Sequence, residues 1–157
     1  MENIFLTILQ GTVVIVGIGN PLRGDDGFGP ALIERLHGKV GFICFDAGSA
    51  PENYVGRIVK EDPDTILLVD VADLNLKPGQ FRILQPTEIL PCGFTTHDMS
   101  SRMLIEFLEK QTRAHIFMLG VQPQHVSLGE VMSQCVTETL NEIEVLIQEV
   151  GPCMRPI

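Results

Sequence analysis

The stretch that most constrains this chain lies between residues 12 and 36. An unbroken apolar run, Thr12-Val-Val-Ile-Val, feeds into Gly17-Ile-Gly-Asn-Pro-Leu-Arg-Gly-Asp-Asp-Gly-Phe-Gly, and the amphipathic Pro30-Ala-Leu-Ile-Glu-Arg-Leu leaves it. This order reads as a strand over 12–17, a glycine-rich turn, and a helix over 28–37. In an open α/β sheet such a turn sits at the carboxyl edge of a strand, where ligands bind. Two mechanisms compete for it. Glycines and a helix N-terminus can cradle a phosphate, but the G-x-G-x-x-G pattern fails at Leu22. The carboxylates of Asp25 and Asp26 would also repel an anion there. Carboxylates at a turn suit a cation better, and charge favours that reading. The bland alternative is that one of them simply caps the helix, Asp25 more readily than Asp26.

The pattern then repeats. Gly41-Phe-Ile-Cys-Phe ends in Asp46-Ala-Gly-Ser-Ala-Pro-Glu-Asn, and a short helix is expected over 51–58. Thr65-Ile-Leu-Leu-Val-Asp-Val-Ala-Asp is the cleanest strand, and its four consecutive apolar residues call for burial on both faces, hence a central parallel strand. Asp70 ends that run, where a carboxylate needs a partner. Asp73 falls in the turn beyond. Gln80-Phe-Arg-Ile-Leu alternates as a half-buried edge strand does. After a loop over 85–94, Thr95-Thr-His-Asp-Met opens a helix expected over 98–110. His97 then stands at a helix N-terminus, a position that disfavours protonation and keeps the imidazole neutral. A fifth strand starts near His115, and His125 lies in the loop after it, read as an exposed loop residue. Ser127 and Glu130 form an S-x-x-E capping pattern, so the last helix is expected over 128–149, with Met132, Val136, Leu140, Ile143 and Ile147 as its core stripe.

Strands and helices in alternation predict a three-layer α/β/α domain whose five-stranded sheet is mostly parallel, with room for one antiparallel edge strand. The 157 residues suit a single domain over 1–157, with 1–11 as an N-terminal extension and 151–157 as a tail. By size scaling such a domain buries about 70% of its unfolded surface. A net charge of −9 argues against nucleic acid, which needs a basic face. No segment has the length of a membrane span, and Ile4-Phe-Leu-Thr-Ile-Leu lacks the basic flank of a signal peptide. Cys44, Cys92, Cys135 and Cys153 form no C-x-x-C pair, so a reducing cytoplasm fits, with Cys44 and Cys135 expected in the core.

In a parallel sheet the turn after the first strand, the end of the third and the loop before a later helix can meet at one edge. That would bring together Asp26, Asp70 and His97, a hard-to-borderline ligand set suited to nickel, iron, manganese or zinc held loosely. Neither an H-E-x-x-H helix nor a G-x-S-x-G elbow is present, which argues against the common zinc proteases and serine hydrolases.

At these residues the chain resembles the nickel–iron hydrogenase maturation endopeptidases. The likeness rests on residues 17–27, Asp46-Ala-Gly-Ser-Ala-Pro-Glu-Asn, Leu68-Val-Asp-Val-Ala-Asp and Thr95-Thr-His-Asp-Met. With Gly120-Val-Gln-Pro, these are most similar to the branch that matures hydrogenase 3-type large subunits. The resemblance implies a protease that removes a C-terminal extension from a nickel-loaded large-subunit precursor. The nickel would be carried by the substrate, with no tightly bound metal of the protease's own. Asp26, Asp70 and His97 would contact that metal and Asp46 would be a secondary catalytic candidate. A monomer in isolation is expected. Two rivals remain open: a hydrolase holding its own divalent ion at the same residues, and a non-catalytic, nickel-dependent checkpoint for the precursor. A nucleotide-binding domain ranks behind both.

Overall fold

The computed structural model describes residues 2–89 and 101–152. In chain order the elements are α1 (Ile4–Ile8), β1 (Val13–Ile18), a 3-10 turn (Gly24–Gly27), α2 (Phe28–Leu36), β2 (Ile43–Gly48), a second 3-10 turn (Pro51–Tyr54), α3 (Val55–Lys60), β3 (Thr65–Val71), β4 (Phe81–Leu84), α4 (Pro86–Ile89), α5 (Ser101–Gln111), β5 (His115–Val121) and α6 (Gln134–Val150). The sheet order is β2-β1-β3-β5-β4. The first four of these strands pair in parallel, and β4 closes the edge antiparallel to β5.

The two-residue period of a strand sorts its side chains between two cores. Leu67, Val69 and Val71 of β3 join α1, α2 and α6 on one face, while Ile66 and Leu68 join α3, α4 and α5 on the other. Every residue of β3 is buried, as its continuous apolar run requires. Each Leu or Ile so enclosed contributes about 1.5–3 kcal/mol. Because α2 crosses from β1 to β2 over one face and α3 crosses from β2 to β3 over the other, the chain reverses its direction of winding between β1 and β3. That crevice is where open α/β sheets bind ligands.

Glycines allow α2 to press its first turn into this crevice. A Cβ on Gly29 would stand 2.4 Å from the carbonyl oxygen of Ile18 and 2.8 Å from that of Val69, and a Cβ on Gly17 would stand 2.4 Å from the carbonyl oxygen of Gly29. These obstacles are backbone and cannot swing aside. The glycines of the motif therefore serve close packing of helix on sheet rather than a phosphate cradle.

The expected start of the last helix is corrected. The last helix begins at Gln134, not near residue 128, and Ser127 and Glu130 lie ahead of it. Residues in that region are held to another loop: the Gly129 amide donates to the Leu22 carbonyl at 2.8 Å and the Gly24 amide to the Glu130 carbonyl at 3.1 Å. Gly129 adopts φ +86°, which a right-handed helix does not allow. The stripe of Val136, Leu140, Ile143 and Ile147 is buried as expected. The N-terminal extension packs onto the core: Phe5 is fully buried, and Asn3 Nδ2 donates to the Leu146 carbonyl at 2.7 Å. Cys44 and Cys135 are free thiols, half-buried rather than enclosed.

Gly29→Ala should destabilise the fold by about 3 kcal/mol or more through backbone overpacking. Gly56→Ala in α3, where a Cβ would meet nothing within 4 Å, should stabilise it by about 0.5–1 kcal/mol. Urea unfolding midpoints of the two variants check both signs.

Candidate active site

The turn after β1 carries the two adjacent aspartates in opposite directions. Asp25 is fully buried. Its Oδ2 accepts from the backbone amides of Gln124 (2.8 Å) and His125 (3.1 Å) and from the Ser133 hydroxyl (2.7 Å), and its Oδ1 accepts from the Ser133 amide at 2.6 Å. Burial pushes the Asp25 carboxyl upward, but these hydrogen bonds, the Ser133 amide foremost, outweigh it and hold the group below its ordinary value. Asp25 thus ties the first turn to the loop after β5 and to the start of α6. The Ser133 side chain makes no cap bond to α6; its hydroxyl is committed to Asp25.

His125 completes this clasp. Its Nε2 lies 3.2 Å from Ser133 Oγ. With the hydroxyl proton given to the carboxylate, that oxygen accepts from Nε2–H, which leaves the buried Nδ1 without a partner among the described residues. The exposed loop residue expected from sequence is therefore half-buried against Gly24, where a Cβ would stand 2.9 Å from Nδ1. Aspartate, serine and histidine also compose serine-hydrolase triads, but here the acid holds the serine instead of the histidine. Ser133 is moreover buried, so the cluster is a clamp and not a nucleophile.

Asp26 faces the other way. It is 3% exposed, and its Oδ2 accepts from the Asn20 amide at 2.8 Å. Its Oδ1 is buried and has no hydrogen-bond partner among the described residues. The N-cap of α2 is Gly27, with no side-chain cap bond, so neither aspartate caps the helix. The 3-10 turn bearing Asp26 packs against β3, at whose carboxyl end Asp70 lies 1% exposed, its Oδ1 accepting from the Val71 amide at 2.8 Å. Asp26 and Asp70 therefore flank the crevice between β1 and β3.

Asp46 lies on the same edge. Gly17 of β1 is in register with Asp46 of β2 on one side and with Val69 of β3 on the other, two strand spacings or about 10 Å in all. Asp46 is exposed, and its Oδ1 accepts from the Gly48 amide at 3.0 Å. Asp73 is held in its own turn by the Asn75 amide. His97 lies outside the described residues, as do Cys92 and Cys153. Among the described residues no three His, Cys, Asp or Glu side chains gather as a metal-binding group, and no helix is long and apolar enough to cross a membrane.

A buried carboxylate oxygen without a hydrogen-bond donor is costly unless a cation or proton meets it. The edge therefore offers anionic oxygen, in a sheltered position, to a positively charged centre. The family model for hydrogenase maturation proteases matches residues 30–150, a span that includes Asp70 and begins just after Asp26. The chain belongs to this family and is a peptidase of the hydrogenase maturation class. Among its relatives, the hydrogenase 3 maturation protease of Escherichia coli K12 is 36% identical over 135 residues, covering 84% of this chain and 86% of that protein. The crystal structure of the maturation protease HycI from Thermococcus kodakarensis matches with a TM-score of 0.86 at 32% identity, over 94% of this chain and 97% of that one. The solution structure of HycI from Escherichia coli matches with a TM-score of 0.80 at 33% identity, over 88% of this chain and 90% of that one.

Asp25→Asn places an NH2 group among donors and should cost about 2–4 kcal/mol at neutral pH. Because the folded-state value of Asp25 is depressed, its contribution is present above the unfolded value of 3.8 and is lost as pH falls through the folded value. Urea unfolding between pH 7 and pH 3 should therefore show a shallower acid loss in the variant; equal acid slopes would refute the assignment.

Proposed function

We propose that this protease removes a C-terminal extension from the precursor of a hydrogenase large subunit after nickel insertion, and that it reads the nickel carried by that substrate. The observation that supports this most directly is Asp26 Oδ1, buried and without a hydrogen-bond partner among the described residues, in a turn packed against β3. Asp70 and His97 complete the proposed grip. Two carboxylates and a neutral imidazole form a borderline donor set that suits a nickel ion already held by other ligands. Such a set leaves most of the coordination to the substrate, so the protease binds free metal weakly.

In this reading the chain's residues act by position. Asp25 and Asn20 hold Asp26 in place, β3 delivers Asp70, and the metal they grip brings the peptide bond beyond the last metal-binding motif to the same edge. The metal, when bound, can polarise the scissile carbonyl or a water molecule. The other route to hydrolysis is general-base activation of water by a carboxylate. Asp46, exposed on the same edge, or Asp70, itself part of the grip, would serve as that base. Precursors loaded with different divalent ions separate the two routes: a rate that follows the acidity of the ion supports polarisation, and a flat dependence supports the carboxylate.

Intact mass spectrometry of a nickel-loaded large-subunit precursor tests the proposal. The wild type should release a C-terminal peptide from it and leave nickel-free precursor whole. Asp26→Asn, Asp70→Asn and His97→Ala should each slow cleavage by about a hundredfold or more. A stable complex without any change of mass would instead identify a non-catalytic checkpoint. Stoichiometric metal in the purified protease would identify a hydrolase with its own ion.

A further inference from the structure

Three large aliphatic side chains stand in water beside the candidate site. Leu22 and Leu128 are each 67% exposed and Val131 is 81% exposed. They belong to two loops that are stitched together: the Gly129 amide donates to the Leu22 carbonyl, the Gly24 amide to the Glu130 carbonyl at 3.1 Å, and the Asp25 amide to the His125 carbonyl at 3.0 Å. Each of the three aliphatic residues takes part in one of these backbone bonds or adjoins a residue that does. The patch is also built into the turn that presents Asp26, since Asn20 donates its amide to Asp26 Oδ2 and accepts the Leu22 amide on its side-chain oxygen at 2.9 Å.

We infer that Leu22, Leu128 and Val131 form the docking surface for the body of the precursor, taking an apolar surface of that protein next to the segment to be cut. The inference rests on the proposed function and deepens it. Leu22 lies in the same turn as Asp26, and the loop bearing Leu128 and Val131 is bonded to that turn, so the patch adjoins the ground proposed for the substrate. The two loops are held in place by backbone hydrogen bonds and by the Asp25 clasp, so covering them requires little ordering, the condition under which apolar contact converts to affinity. Together the three side chains expose on the order of a few hundred Å², the size at which an apolar patch marks an interaction site. A second copy of this chain is the poorer occupant, because each copy carries a net charge of −9 and repels its like.

The test is binding of nickel-loaded precursor, immobilised on a sensor surface, to the wild type and to the triple variant Leu22→Gln, Leu128→Gln, Val131→Gln. The control is Ile4→Gln, Leu6→Gln, exposed side chains on α1. The triple variant should weaken binding by more than about tenfold and raise KM by a similar factor with a much smaller fall in kcat; the control should do neither. Should the triple variant fail to fold, Val131→Glu alone carries the test, at the most exposed of the three positions. Cleavage by the wild type with unchanged precursor affinity in the variant overturns the docking surface and leaves the protease reading intact. Binding that depends on the patch without cleavage overturns the protease reading and supports the docking surface. No binding by the wild type overturns the docking surface. A wild-type dimer that the triple variant converts to monomer, with precursor affinity unchanged, assigns the patch to a second copy and overturns it too.

Discussion

The hydrogen bonds that converge on the buried carboxylate of Asp25 are the constraint on which the site depends. A glycine-rich turn has many conformations available, and nothing local forces this one to hold Asp26 at the mouth of the sheet. The restraint comes from the far end of the chain: amides of Gln124, His125 and Ser133 and the Ser133 hydroxyl all donate to one side chain. A buried carboxylate met by that many donors is stable as an anion, and removing it would orphan all of them at once. It also accounts for the late start of α6, because the residues ahead of Gln134 are committed to this contact and to the loop bearing Leu22.

With the turn clamped, the sheet supplies the rest. Parallel pairing of β1 with β2 and β3 places the ends of all three strands on one edge, and the change of winding between β1 and β3 opens a crevice there. The glycine contact between β1 and α2 lets the helix enter deeply enough for the turn before it to reach β3. Asp26 is thereby sheltered from water while one of its oxygens has no partner among the described residues, and Asp70 arrives from the neighbouring strand. In the function proposed above, these carboxylates would be in place before the substrate and its cation arrive.

The architecture was legible because its signals are local. The four apolar residues from Ile66 to Val69 specify burial on both faces of β3, and the alternation in residues 80–84 specifies an edge strand; β4 is one. Asp70 reads as a strand-end carboxylate because it closes the apolar run of β3, and Asp26 as a turn carboxylate because the glycine-rich stretch follows the apolar run of β1. The division of labour between Asp25 and Asp26 was not legible. The two residues are identical and adjacent, and only contacts across 108 positions, to Ser133, distinguish them. The same holds for His125, whose environment is made by Gly24 and Ser133, and for Phe5, which reads as part of an extension until the groove that receives it exists. The capping pattern at Ser127 misled for a related reason: a local preference worth about 1 kcal/mol yields to loop-to-loop hydrogen bonds that no short window contains.

The distance along the chain between Asp25 and Ser133 has a consequence during synthesis. A ribosome adding roughly 5–20 residues per second needs about 5–20 s to produce the 108 residues that separate them. Throughout that interval β1, α2 and β2 can already be outside the ribosome, yet the turn bearing Asp26 lacks the clasp at Asp25 and the apolar face of α2 lacks α6 to cover it. The edge bearing Asp26 is thus completed only once the last helix is available, the same helix whose Leu146 carbonyl accepts from Asn3 and brings the two ends of the chain together. A nascent or truncated copy carries the glycine-rich motif intact but not the clamp that shapes it.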